Sequence, residues 1–122
     1  LDISFSGHIQ AGETSLEAVR REGREELGIN IDTSKLQYLF SCRECGGIDG
    51  YFENEIDDVF LYRADIPIDG YSFSDHEVKE VRYISVDEFK MMAESGSPML
   101  LPYETHYLFL LIALYCITLN TA

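Results

Sequence analysis

Positive charge is scarce in this chain. Nine lysines and arginines stand against 22 acidic residues, a net charge of −13. A surface of that sign repels a phosphate backbone, so polymeric nucleic acid is not expected as a partner. Cysteine is almost as sparse: Cys42, Cys45 and Cys116 make an odd number, and no signal peptide is recognisable. A disulfide framework is therefore not expected, and a reducing cytoplasm is. Cys42 and Cys45 form a C-x-x-C pair, but zinc would need a second pair where only Cys116 remains, and a thioredoxin-like redox site would need a different local context. Crossing a bilayer takes about 20 apolar residues, and the run from Tyr107 to Ile117 is too short. No membrane association is expected; that run reads as a buried helix or a surface on which a homodimer could form. No repeat and no low-complexity segment is present.

What the chain does have is 46% apolar and 12% aromatic residues in a length of 122. That suits one domain, residues 1–122, burying roughly two-thirds of the surface its unfolded form exposes. The sequence begins at Leu1 without methionine and enters its first motif almost at once. We therefore expect it to be a truncated piece of a longer chain.

Local patterns divide the chain into elements. Ile3–Ser6 alternates apolar and polar residues and leads into a loop with Gly7 and Gly12. Thr14-Ser15-Leu16-Glu17 has the spacing of a capping box and Gly28 suits a C-terminal cap, which predicts a helix from about Ser15 to Leu27. Leu36–Cys42 and Val59–Arg63 are rich in aromatic and branched residues, and Val81–Ile84 alternates, so three further strands are predicted. Ser85 to Glu88 repeats the capping-box spacing ahead of a short helix to about Glu94. Pro98 and Pro102 separate it from a last helix starting near Glu104.

The first helix carries the chemistry. Leu16, Val19, Gly23 and Leu27 recur at three- and four-residue steps and are expected to face a core. Glu22, Glu25 and Glu26 lie at i, i+3 and i+4, where their carboxylates repel one another unless a cation joins them. An exposed acidic stripe balanced by Arg20, Arg21 and Arg24 is the plain alternative for such a triplet taken alone.

The surrounding residues decide between these readings. From Gly7 the chain reads G-x5-E-x7-R-E-G-R-E-E-L-G-I, which resembles the Nudix box, G-x5-E-x7-R-E-U-x-E-E-x-G-U, U being a bulky aliphatic residue. Gly7, Glu13, Arg21, Glu22, Glu25, Glu26, Gly28 and Ile29 all match, and the motif covers 23 of the 122 residues. The one departure is Gly23, which removes an aliphatic side chain and costs about 1 kcal/mol of helix propensity relative to alanine.

The resemblance implies an α+β Nudix fold, an α/β/α sandwich around a mixed β-sheet, over roughly Asp2 to Glu88, and, since members of the family have strand residues ahead of the equivalent of Asp2, a sheet that lacks one or more N-terminal strands here. It also implies that Glu22, Glu25 and Glu26 bind Mg2+ or Mn2+. Glu13 and Arg21, with Gly7 and Gly28, would support the box structurally, and such residues orient ligands. Outside the box the chain is similar to isopentenyl-diphosphate isomerases and their hydrolase relatives. Ser6-Gly7-His8 stands where the isomerases have Cys-Gly-His, and Glu53-Asn54-Glu55 resembles their strand glutamates, so His8, Glu53 and Glu55 match isomerase metal-ligand positions. Residues two apart on a strand project from one face, as a shared ion would need.

Ser6 turns the expectation from isomerisation to hydrolysis, because a hydroxyl titrates far above a thiol and does not exchange protons near neutral pH without special activation. The intact box points the same way. The expected reaction is hydrolysis of a diphosphate bond in a nucleoside diphosphate linked to another group. Its substrate is a small molecule, and Glu25, Glu26, Glu77 and Glu80 are the candidate catalytic residues. An isomerase-like enzyme and a non-catalytic nucleotide sensor remain the alternatives.

Overall fold

The computed structural model describes residues 6–48, 51–73 and 78–96. Helix α1 spans Ser15–Leu27, strand β1 Leu36–Ile48, strand β2 Tyr51–Tyr62 and helix α2 Val86–Glu94, with 3-10 turns at Thr33–Lys35 and Ile68–Gly70. The described residues divide into two compact units, one built from the chain up to Leu36 and from Arg63 onward, the other from Gln37–Tyr62.

Helix α1 begins and ends where its signals predict. The Thr14 side chain accepts from the Glu17 amide and the Glu17 side chain reaches back to the Thr14 amide, so a full capping box closes the N-terminus. Gly28 ends the helix in the left-handed region at φ +66°, donating its amide to the Arg24 carbonyl at 3.1 Å. The following chain packs back onto that end: the Ser72 amide donates to the Leu27 carbonyl at 3.0 Å. A Cβ on Gly28 would lie 1.9 Å from Ser72 Oγ, so glycine is needed for the approach as well as for the conformation.

The inner face of α1 differs from the predicted one. Ala18, Gly23 and Leu27 are buried, whereas Leu16 is 43% exposed. Leu16 sits in the first turn, where the capping loop leaves it to solvent. Ser15, Val19, Glu22 and Glu26 are partly buried on the same side as Ala18, and Glu25 is turned outward. Of the three box glutamates on the helix, Glu22 and Glu26 are therefore partly covered and Glu25 is open to solvent. Ile29 and Ile31 continue the core beyond the cap.

In the other unit β1 and β2 form a two-stranded sheet. Two residues separate them, far too few for a parallel crossover, so the pair is antiparallel. Both strands run longer than their apolar patches predicted. Tyr38 meets Phe60 edge-on at 5.8 Å, and Ser41 donates to Asp58 at 2.5 Å. These strands are the part of the expected mixed sheet that lies among the described residues.

Val81–Ile84 corrects a predicted strand: it is without regular structure. Alternation sets which side chains share a face but supplies no strand to pair with. The segment is held by a side chain instead, since the Tyr83 hydroxyl donates to the Ile66 carbonyl and shares a 2.6 Å hydrogen bond with Tyr71. Burial, and then that bond, pushes the Tyr71 hydroxyl up to about 12. Helix α2 forms as predicted, with the Ser85 side chain accepting from the Glu88 amide. The predicted strand at Ile3 and the last helix from Glu104 lie outside the described residues. No helix among those described is long and apolar enough to cross a membrane.

Candidate metal centre on the first helix

Arg21 organises the box. Its Nε donates to Glu13 Oε1 at 2.9 Å and its Nη2 to Glu13 Oε2 at 3.1 Å, a two-pronged pairing that suits the planar guanidinium. Nη2 also donates to the His8 carbonyl at 2.9 Å, which ties the glycine loop to the helix. Glu13 holds the loop from within, accepting from the Gln10 amide at 2.9 Å. The remaining edge of Arg21, Nη1, donates to Glu22 and to Glu25, the latter at 3.2 Å.

Gly7 lies directly against this cluster. A Cβ built there would stand 2.0 Å from Glu22 Oε1, so the first box glycine leaves the space the Glu22 carboxylate occupies. Glu22 is correspondingly shielded, its side chain 13% exposed, while that of Glu25 is 54% exposed. Tied by Arg21 above all, and by the Gln10 amide, the Glu13 carboxyl is held below its ordinary value of 4.5. Its bonds to Glu13 and then Glu22 raise Arg21 in turn, so the guanidinium stays charged.

Gly7, the His8 carbonyl, Glu13, Arg21, Glu22 and Glu25 are thus brought together. His8 is exposed, Glu55 is partly buried on β2 in the other unit, and Glu80 is exposed in the irregular stretch before α2. Glu53 is on β2 but its side chain, like that of Cys45, lies outside the described residues, as does Glu77. Cys42 is a buried free thiol. Among the described residues no group of three or more His, Cys, Asp or Glu side chains stands ready to hold an ion. Glu22 and Glu25 are instead turned onto Arg21. The donor chemistry nevertheless suits a hard cation: three carboxylates within one and a half turns of a single helix, one of them open to solvent.

Two contributors had no sequence signal. The amide of Gln10 acts through its backbone, and the contact of Ser72 with Gly28 joins residues far apart in the chain. The sharing of Arg21 between Glu13 and the glutamates of the helix was also missed, although its i, i+4 spacing to Glu25 was visible.

Acid should loosen this unit. Glu13 is lowered by Arg21, Glu17 by the Thr14 amide and Asp32 by Ser34. Groups lowered on folding stabilise the native state above their ordinary values, 4.5 for glutamate and 3.8 for aspartate. That contribution is lost as pH falls through the folded values. The urea midpoint should therefore decline below about pH 5, and Glu13→Gln should flatten the decline; a midpoint level across the acid range would refute the assignment.

The NUDIX domain family model matches residues 3–102. The chain is 35% identical over 86% of its length to Nudix hydrolase 3 of Arabidopsis thaliana, of which it spans 14%. It is 32% identical over 84% of its length to an uncharacterized Nudix hydrolase of Listeria monocytogenes, of which it spans 54%. To an isopentenyl-diphosphate Delta-isomerase of Brevibacterium linens it is 33% identical, over 84% of this chain and 57% of that one. No solved structure gives a significant match. The chain belongs to the Nudix family, with the family's α+β fold.

Proposed function

We propose that this domain hydrolyses a diphosphate bond in a nucleoside diphosphate linked to another group, with Mg2+ or Mn2+ held by Glu22, Glu25 and Glu26. The observation that carries the reading is the box arrangement on α1: three carboxylates on one helix, with Gly7 against Glu22 and Arg21 fastening the glycine loop to the same turn. When bound, the divalent ion supplies charge neutralisation for the phosphates and lowers the pKa of nearby water. The oxygen of water forms a bond to phosphorus as the bond from phosphorus to the bridging oxygen breaks. The leaving phosphate departs with that oxygen, and the water proton passes to a carboxylate. Glu25 and Glu80, both exposed, are acceptors that solvent can reach. Glu26 and Glu77 complete the candidate set, and His8, Glu53 and Glu55 are further candidate ligands.

A second reading, isomerisation of a small allylic or homoallylic diphosphate, is favoured by the likeness to the Brevibacterium linens enzyme. Against it, Ser6 stands in the loop before Gly7 with a hydroxyl where proton exchange calls for a more acidic group.

The test is a product assay with magnesium across nucleotide sugars, dinucleotides, nucleoside di- and triphosphates and isopentenyl diphosphate. Metal-dependent release of a phosphate or nucleotide product is the expected result. Conversion of isopentenyl diphosphate alone would establish the second reading and overturn the first.

A further inference from the structure

Arg21 serves two masters on its two edges. Nε and Nη2 hold Glu13 and the His8 carbonyl, whereas Nη1 is shared by Glu22 and Glu25, two of the three carboxylates assigned to the divalent ion. A cation that coordinates those carboxylates competes with Nη1 for their negative charge and for the two oxygens it engages, Glu22 Oε1 and Glu25 Oε2. The two contacts are unequal. Glu25 is 54% exposed and accepts at 3.2 Å, while Glu22 is 13% exposed, packed against Gly7 and directly on the guanidinium. Exposed ion pairs are weak and easily exchanged with water; shielded, charge-assisted ones hold.

We propose that Arg21 is an internal counter-cation for the metal-free site, surrendering Glu25 first and Glu22 second to the incoming ion while its other edge keeps the glycine loop in place. This rests on the reading of Glu22 and Glu25 as ligands. The device has two consequences. The carboxylates are partly balanced without metal, one positive charge resting between Glu22 and Glu25, so the repulsion that their spacing imposes on the helix is reduced. Metal affinity is lowered in proportion to the share of molecules in which Nη1 has let go, roughly tenfold if that share is about one-tenth. A purely structural arginine predicts the opposite sign, because its loss would disorder the loop and weaken metal binding.

Two measurements decide it. In the wild-type protein, Mg2+ is titrated while the Arg21 Nη and Nε signals and the side-chain carboxyl signals of Glu22 and Glu25 are followed by NMR. The expected result is movement of the carboxyl and Nη1 signals with Nε, bonded to Glu13, staying in place. Carboxyl signals that move while Nη1 stays fixed would overturn the exchange and leave the ligand assignment standing. Carboxyl signals that do not respond to Mg2+ at all would overturn both. In parallel, Arg21→Gln should bind Mg2+ roughly tenfold more tightly by calorimetry. Arg20→Gln, which makes the same charge change on the same helix, should shift affinity less than about twofold. Equal tightening in both variants, or weakening in Arg21→Gln, would overturn the proposal, and the NMR titration decides should Arg21→Gln fail to fold.

Discussion

Glu26→Gln is expected to reduce metal-dependent hydrolysis by roughly 10²–10³-fold while the protein stays folded. Glutamine matches glutamate in volume and is nearly its equal as a helix former, so α1 should keep its length and its caps. Glu26 is partly buried on α1, beside Glu22 and one position from the exposed Glu25. Neutralising it removes an anionic oxygen donor from the proposed ligand set and leaves an amide, a far poorer partner for a hard dication. The stabilisation a bound ion gives to charge developing at phosphorus is worth several kcal/mol, and each 1.36 kcal/mol is a factor of ten in rate. Losing about 3–4 kcal/mol of it gives the expected range. A thermal midpoint within a few degrees of the wild type, measured beside kcat, separates lost chemistry from lost structure. Full activity in a folded variant would remove Glu26 from the ligand set.

Gly28→Ala acts on the scaffold and not on the chemistry. At φ +66° any residue with a Cβ pays a conformational penalty of about 1–2 kcal/mol. The new methyl would lie 1.9 Å from Ser72 Oγ and 2.7 Å from the Ser72 carbonyl oxygen. The hydroxyl can rotate away, but the carbonyl belongs to the backbone, so residue 72 must retreat. Its amide then gives up the 3.0 Å bond to the Leu27 carbonyl, a loss of about 1 kcal/mol. Together these terms come to about 2–3 kcal/mol, or a fall of roughly 10 °C in the melting midpoint of a domain this size. Adding Ser72→Gly should recover little, because the backbone carbonyl and the dihedral term both remain, and a double-mutant cycle reads that near-additivity directly. A shift of only about 1 kcal/mol, no more than the dihedral term requires by itself, would show that the chain after Tyr71 does not bear on the helix end.

The local features were legible because their causes are local. Thr14, Glu17 and Gly28 define α1 through contacts within four residues of one another, and the helix runs from Ser15 to Leu27 as that chemistry requires. Ser85 announces α2 in the same way. The pairing of Glu13 with Arg21 was also anticipated, since the box motif sets seven residues between them and the structure closes that distance with two hydrogen bonds.

Legibility ended where a residue's role depends on a partner chosen by the fold. Val81–Ile84 alternates like a strand, yet a strand exists only when another strand accepts its amides, and here the Tyr83 hydroxyl makes the connection instead. Leu16 shares a helical period with Leu27 but sits at an end that packing does not reach.

The sequence by itself determined the family, the course of α1 and the identity of the carboxylates, because spacing along a helix converts directly into position on its surface. Only the tertiary structure decided that Gly7 lies against Glu22, that Ser72 lies against Gly28, and that one edge of Arg21 rests on Glu22 and Glu25. The contacts of Gly7 and Ser72 join segments separated in the chain, and the turn of Arg21 depends on that docking: the close approach of the glycine loop brings the His8 carbonyl to Nη2 and leaves Nη1 to the carboxylates.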